Sequence, residues 1–191
     1  MKRSTSLLLS ALLLGACGQA LAEKADAYKP TQIKCRSCDA DSLSGTFKVS
    51  GGVELTRGTL RIEADNGSVE ESPEGFQRLV LHAAPGNKVR FRQKADGPGE
   101  RWMEGEADRV EYDDRSAMVQ LFSKAKVSRT VDGMPAETAQ GEFISYDSRK
   151  EVFVLRNTAS GEDRPGGGLN TLILQPKRTP PTQPVASKVQ P

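Results

Sequence analysis

Few side chains in this 191-residue sequence could do chemistry. They are the pair in Cys35-Arg-Ser-Cys38, the single histidine His82, and the aspartates Asp65, Asp108, Asp113 and Asp147. A hydrolytic or transfer enzyme needs a nucleophile beside a base, paired carboxylates in a pocket, or a metal cluster. One histidine is too few for these, and no Gly-x-Ser-x-Gly or phosphate loop is present. The four aspartates fall in turn-forming stretches, where Asp is favoured because its carboxylate bonds to nearby backbone N–H groups. His82 reads as a strand-end residue. Once Cys17 is removed with a leader, zinc lacks its usual four ligands, so no metal or other cofactor is expected. A redox role for Cys35 and Cys38 would want a βαβ setting that the sequence does not provide. In an exported chain the pair reads as a small-loop disulfide. The chemistry therefore points to a non-enzyme, and the elements that carry the residues become the question.

Residues 1–22 resemble an export signal: Lys2-Arg3 is a positive start, Leu7 to Leu14 an apolar run, and Ala20-Leu-Ala22 a small-x-small cleavage site. Cleavage after Ala22 would start an exported mature chain at Glu23. The competing reading is Leu14-Gly-Ala-Cys17 as a lipobox, which would leave a lipid anchor on Cys17. Losing residues 1–22 removes Lys2 and Arg3 and no acid, taking the formal charge from +2 to zero. Nucleic-acid binding by bulk charge is thereby disfavoured. Hydrophobic residues make up 36% and aromatics 5%, with a mean hydropathy of −0.52. That is thin for a dense core and favours an elongated or open sheet.

Residues 23–42 read as a polar, irregular leader with the Cys pair. From Thr46 the period is two: Phe47, Val49, Val53 and Leu55 alternate with polar residues, Arg57-Gly58 turns the chain, and Leu60, Ile62 and Ala64 resume. Asn66-Gly67 is a turn dipeptide. Leu79–His82 and Lys88–Lys94 are further strands, and Val89 and Phe91 in the latter face away from Lys88, Arg90, Arg92 and Lys94. That basic strip is either a solvated edge guarded by charge or a surface for an anionic partner. At an offset of 34, Val110, Tyr112, Asp113, Arg115, Val119 and Leu121 recur as Ile144, Tyr146, Asp147, Arg149, Phe153 and Leu155. Each copy is strand, Asp-centred turn, strand. Glu63-Ala-Asp65 likewise recurs as Glu106-Ala-Asp108. The expectation is an all-β, antiparallel domain over residues 43–175, a stack of repeated hairpins that bury their faces against their neighbours, with the opening hairpin at one end. A last strand is predicted over Leu169–Leu174, and the Pro-rich stretch 176–191 is expected to be disordered.

The run Val53-Glu-Leu-Thr-Arg-Gly-Thr-Leu-Arg-Ile-Glu-Ala-Asp65, followed by Glu104-Gly105 to Tyr112-Asp113 and Gly141 to Tyr146-Asp147, resembles the OstA-like, LptA-type family of periplasmic lipopolysaccharide transport proteins. The resemblance spans about residues 45–156. It implies a slightly twisted, V-shaped β-jellyroll with open ends, whose apolar interior shields lipid A acyl chains. It also implies end-to-end self-association and joining to LptC-like inner-membrane and LptD-like outer-membrane partners. The Cys35-Arg-Ser-Cys38 pair departs from the usual pattern at that junction. On this reading the lipid-facing residues are Phe47, Val49, Val53, Leu55, Leu60, Ile62, Val89, Phe91, Val110, Tyr112, Val119, Leu121, Ile144, Tyr146, Phe153 and Leu155. Arg57, Arg61, Lys88, Arg90, Arg92 and Lys94 are candidate contacts for lipid phosphates or acidic sugars. The alternative is an envelope structural or interaction module that carries no lipid.

Overall fold

The computed structural model describes residues 25–150 and 152–176, so the export signal of residues 1–22 with its lipobox and nearly all of the Pro-rich tail lie outside the described residues. Among the described residues, eleven strands form one antiparallel sheet: β1 Gln32–Asp41, β2 Thr46–Arg57, β3 Leu60–Glu71, β4 Gln77–His82, β5 Val89–Lys94, β6 Arg101–Ala107, β7 Arg109–Asp113, β8 Met118–Val131, β9 Met134–Asp147, β10 Val152–Arg156 and β11 Thr171–Leu174. The sheet folds on itself. Strand β3 pairs β4 through its second half and β5 through residues 61–63, and β8 pairs β7 through its first half and β6 through its second. The order β3-β4-β7-β8-β6-β5 thus closes a ring, with β2 and β1 added on one side and β9, β10 and β11 on the other. Edges remain at β1 and at β10 and β11. This is a two-layered β-jellyroll with its apolar face turned inward.

The fold line between the layers is written in small and special residues. Register shifts fall at Cys35/Ser37 in β1, Ser50/Val53 in β2 and Phe122/Ala125 in β8. Gly51 and Gly52 take φ of 79° and 93° at the β2 shift, where a side chain on Gly51 would strike Arg36. Ser123 and Lys124 adopt positive φ at the β8 shift, a conformation that costs a non-glycine residue roughly 1–3 kcal/mol. Along the same line the repeated Glu-Ala-Asp places its aspartates. Asp65 accepts the Ala84 N–H at 2.6 Å and the Asn87 amide at 3.1 Å, and Asp108 takes Lys88 at 2.6 Å. Ala107, fully buried, lets the layers meet.

Each layer is crossed by continuous apolar rows. In the first, Phe47, Val69, Leu79, Tyr112, Val119, Tyr146 and Phe153 are successive cross-strand partners over seven strands. One step closer to the fold line run Leu81, Val110, Leu121, Ile144 and Leu155. The two copies of the 34-residue repeat are the adjacent hairpins β7–β8 and β9–β10, which is why they contribute matching positions to both rows. In the second layer Ile33, Leu55, Ile62, Phe91, Gly105, Val127, Ala139 and Leu172 pair in turn across eight strands. Such cross-strand contacts are the unit from which a sheet gains its stability.

Four expectations change. The stretch that reads as an irregular leader contains β1, because it alternates Ile33 and Cys35 against exposed residues and pairs with β2. The opening hairpin is therefore one strand in from the edge. Asn66-Gly67 is not a turn but mid-strand in β3: Gly67 lies under β4, where a Cβ would sit 2.4 Å from the Val80 carbonyl oxygen and 2.6 Å from Leu81. Finally, the hairpins interleave instead of stacking in order, since the bends split β3 and β8 between two layers with different partners.

Gly105 faces the Phe91 ring, and a Cβ there would lie 2.2 Å from Phe91 Cε1. Gly105→Ala is expected to destabilise the fold by about 1–3 kcal/mol through overpacking. Leu121→Ala, at a fully buried position, should cost about 2–5 kcal/mol. Urea unfolding midpoints check both, with Phe91→Leu expected to relieve part of the Gly105→Ala defect.

Candidate functional site: the cleft between the layers

Away from the fold line the layers part. The opening is a cleft of about 370 Å³ lined by Phe91, Gln93 and Met103 from the second layer and by Tyr112, Val119 and Tyr146 from the first. Ala27 and Tyr28, ahead of β1, and Asp114, Ala117, Ser148 and Arg149 from the turns complete its rim. Beside Ile62 and Val110, nearer the fold line, the free space shrinks to about 10 Å³, room for one water at most. The interior is therefore packed near the fold line and open at the mouth.

Polar groups hold the rim. The buried carboxylate of Asp26 accepts the Thr59 N–H at 2.9 Å, the Thr59 hydroxyl at 2.5 Å and the Gln93 amide at 3.2 Å, which pins residues 25–28 beside the mouth. Gly58, at φ 59°, is required there, because a Cβ would lie 1.8 Å from Asp26 Oδ1. Arg57 crosses from one layer to the other, donating from Nη2 to the Tyr112 hydroxyl at 2.7 Å and from Nη1 to Asp114 at 3.3 Å. Its guanidinium carbon stands 5.1 Å from the Tyr112 ring centroid. Asp114 also accepts the Gln77 N–H at 2.8 Å.

The sixteen residues read as lipid-facing are all buried or half-buried, and eleven of them are buried outright. Phe91, Tyr112, Val119 and Tyr146 line the cleft itself. Tyr146 stacks on Phe153 at 4.4 Å between centroids, and the rest pack behind. Sequence reasoning missed Met103 and Gln93, because β6 lacks clear alternation and Gln93 is polar. It also missed Ala27 and Tyr28, which no local period marks. The six cations stand apart from this cavity, except Arg57. Arg61 pairs with Glu63 at 3.2 Å, Lys88 with Asp108, Arg90 with Glu106 at 3.5 Å, Arg92 with Glu104 at 3.1 Å, and Lys94 with Glu100 at 2.7 Å. Arg92 also lies 4.1 Å over the Trp102 ring. Arg90 and Arg92 thus face Glu106 and Glu104 across the β5–β6 ladder, and Lys88 and Lys94 pair with acids just outside β6. Among exposed groups such pairs are worth little individually, but together they neutralise the outer face.

Cys35 and Cys38 are joined in a disulfide, with Cα atoms 5.9 Å apart, on the outermost strand. His82 ends β4, paired with Asn66 and Arg109. Among the described residues, no three metal-ligating side chains cluster.

The model of the LptA/(LptD N-terminal domain) LPS transport protein family matches residues 32–152, well over half of the chain. The chain belongs to this family. Its members share the label of lipopolysaccharide transport, which supports a role in that process here. The lipopolysaccharide export system protein LptH of Pseudomonas aeruginosa is 22% identical over 160 residues, covering 83% of this chain and 86% of the relative. A crystal structure of LptH, described as the LptA homologous periplasmic component of the lipopolysaccharide transport device of that organism, superposes with a TM-score of 0.66. It is 18% identical and covers 79% of this chain and 99% of that one. This likeness shows the shared fold.

The aspartates of the fold line and turns carry a pH signature. Backbone donation from Ala84, then the Asn87 amide, holds the Asp65 carboxyl below its ordinary 3.8. Ser116 N–H does the same for Asp113, and the Lys150 ammonium for Asp147. A carboxyl depressed in the folded state adds stability above its unfolded value and loses it as pH falls through the folded one. Melting temperature is therefore expected to hold from neutral pH to about 5 and to drop below about 4. Asp65→Asn should flatten that drop, as calorimetry across the range would register.

Proposed function

We propose that this chain is a periplasmic segment of a lipopolysaccharide bridge, holding the lipid's acyl chains between its two layers on the way from the inner to the outer membrane. The observation that carries the reading is the pair of inward apolar rows, unbroken across seven strands in each layer, that lead to a cleft open at the rim. An acyl chain in transit needs continuous apolar cover without a deep specific pocket, and rows of side chains repeating every strand, roughly 4.8 Å, supply it. The charged outer face keeps such a protein soluble while its interior stays greasy.

The ends suit assembly. Strand β1 exposes one edge, and β11 exposes another with Leu172, Ile173 and Leu174 at 59%, 45% and 65% exposure. Edge strands offer backbone N–H and C=O groups to a further strand, so the proposal includes end-to-end self-association and docking on LptC-like and LptD-like domains. The periplasmic description of the LptH relative and the export signal of residues 1–22 support that compartment.

A photo-crosslinking residue at Tyr112 or Val119 is expected to capture lipopolysaccharide in living cells, whereas one at Arg90 on the outer face is not. Normal folding with no adduct at either inward position would instead favour the structural module without lipid cargo.

A further inference from the structure

Arg57 is a costly residue to keep. It is 4% exposed and its Nε has no hydrogen-bond partner. Burying a guanidinium is worthwhile for stability only when its donors are fully used. Here the two terminal nitrogens are spent on groups of the opposite layer, Tyr112 and Asp114. A second arginine repeats the arrangement. Arg129, on the second-layer half of β8, has a mostly buried side chain and an Nε without a partner. It pairs with Glu137 at 3.4 Å on its own layer and places its guanidinium 5.6 Å from the Phe153 ring centroid on the other. In the second layer Arg57 pairs with Leu60, and Arg129 pairs with Met103, which pairs in turn with Gln93. The cleft is lined by Gln93 and Met103 of that layer and by Tyr112 and Asp114, the two groups that Arg57 holds.

We infer that Arg57 is a releasable clasp, with Arg129 its weaker counterpart, that limits how far the layers part and so decides which amphiphiles the cleft admits. A single alkyl chain fits between the clasps as they stand. A lipid with several acyl chains is too wide for a cavity of about 370 Å³ and enters only when Arg57 lets go of Tyr112 and Asp114. The contacts favour this reading over a purely structural ion pair in two ways. Both of the side-chain bonds from Arg57 cross the opening. Its partner Asp114 sits at the end of β7 beside the cleft rim, fixed by Gln77, so the release of one side chain frees one lip. Arg57 and Arg129 then act as positioning residues for cargo width. The inference rests on the lipid-carrying function proposed above.

The test compares wild type with Arg57→Met/Asp114→Asn, in which the substituted side-chain amide oxygen still accepts the Gln77 N–H, and with the milder Arg57→Lys. Nitroxide labels at Ser116→Cys and Met134→Cys, on the two lips, report their separation in oxidised protein. Binding is followed by stopped flow with lipopolysaccharide and with a single-chain fluorescent fatty acid. Release of the clasp is expected to lengthen the lip-to-lip distance without ligand. It should speed lipopolysaccharide association on the order of tenfold, the equivalent of one charge-assisted hydrogen bond, and leave the fatty-acid rate unchanged. In wild type the distance should lengthen when lipopolysaccharide is added. Folded variants with unchanged distance and unchanged lipopolysaccharide rate would overturn the clasp while leaving the transport reading intact. A parallel gain for both probes would overturn the width selectivity. Binding of neither probe by any form would overturn the transport reading and the clasp with it.

Discussion

An alternating strand has one apolar face that must be covered, and everything in this protein follows from how that face is covered. There is no helical layer to do it among the described residues. The sheet bends along a single line and closes on itself, so that the apolar rows of one half lie against those of the other. The bend is where the sequence spends its unusual residues: Gly51-Gly52, the left-handed Ser123 and Lys124, buried Ala107, and the aspartates that tie down the loops around residue 84 and Lys88. Near that line the layers touch and the interior is packed. Farther out they diverge, and the same side chains that are core at the hinge become the walls of a cleft at the mouth.

Charge is arranged so that it does not compete with this interior. The exposed cations of β5 each face an acid of β6 or its flanking turn, leaving an outer surface that is polar yet near neutral. At the cavity's rim the charges of Asp26, Arg57 and Asp114 are committed to holding elements in place. A carrier of an amphiphile gains from this division. Strong fixed charges inside would trap cargo, while apolar walls with a polar frame let it slide.

The period-two pattern made much of this legible beforehand. The β2–β3 hairpin, the β7–β8 and β9–β10 repeats and the inward set from Phe47 to Leu155 could be read because one face is buried and register is thereby enforced. What could not be read was where the sheet bends. Asn66-Gly67 reads as a turn because the dipeptide favours one in isolation, yet the missing side chain of Gly67 serves close strand approach. The strand β1 was hidden by a polar composition natural to an edge. The first half of β9 and most of β6 escaped because Ala139 and Gly105, at inward positions of these strands, are too small to mark an alternation. The cleft escaped for a related reason: its width depends on contacts between layers, such as Arg57 with Tyr112, that are 55 residues apart in the chain.

The central claim is that acyl chains lie between the layers. Methyl-labelled protein bound to lipopolysaccharide, studied by NMR for contacts between acyl protons and protein methyl groups, tests it directly. The account predicts intermolecular signals to Met103, Val119 and Ile62. Signals confined to the exposed methyl groups of Leu172 and Leu174, with the interior unchanged, would contradict it.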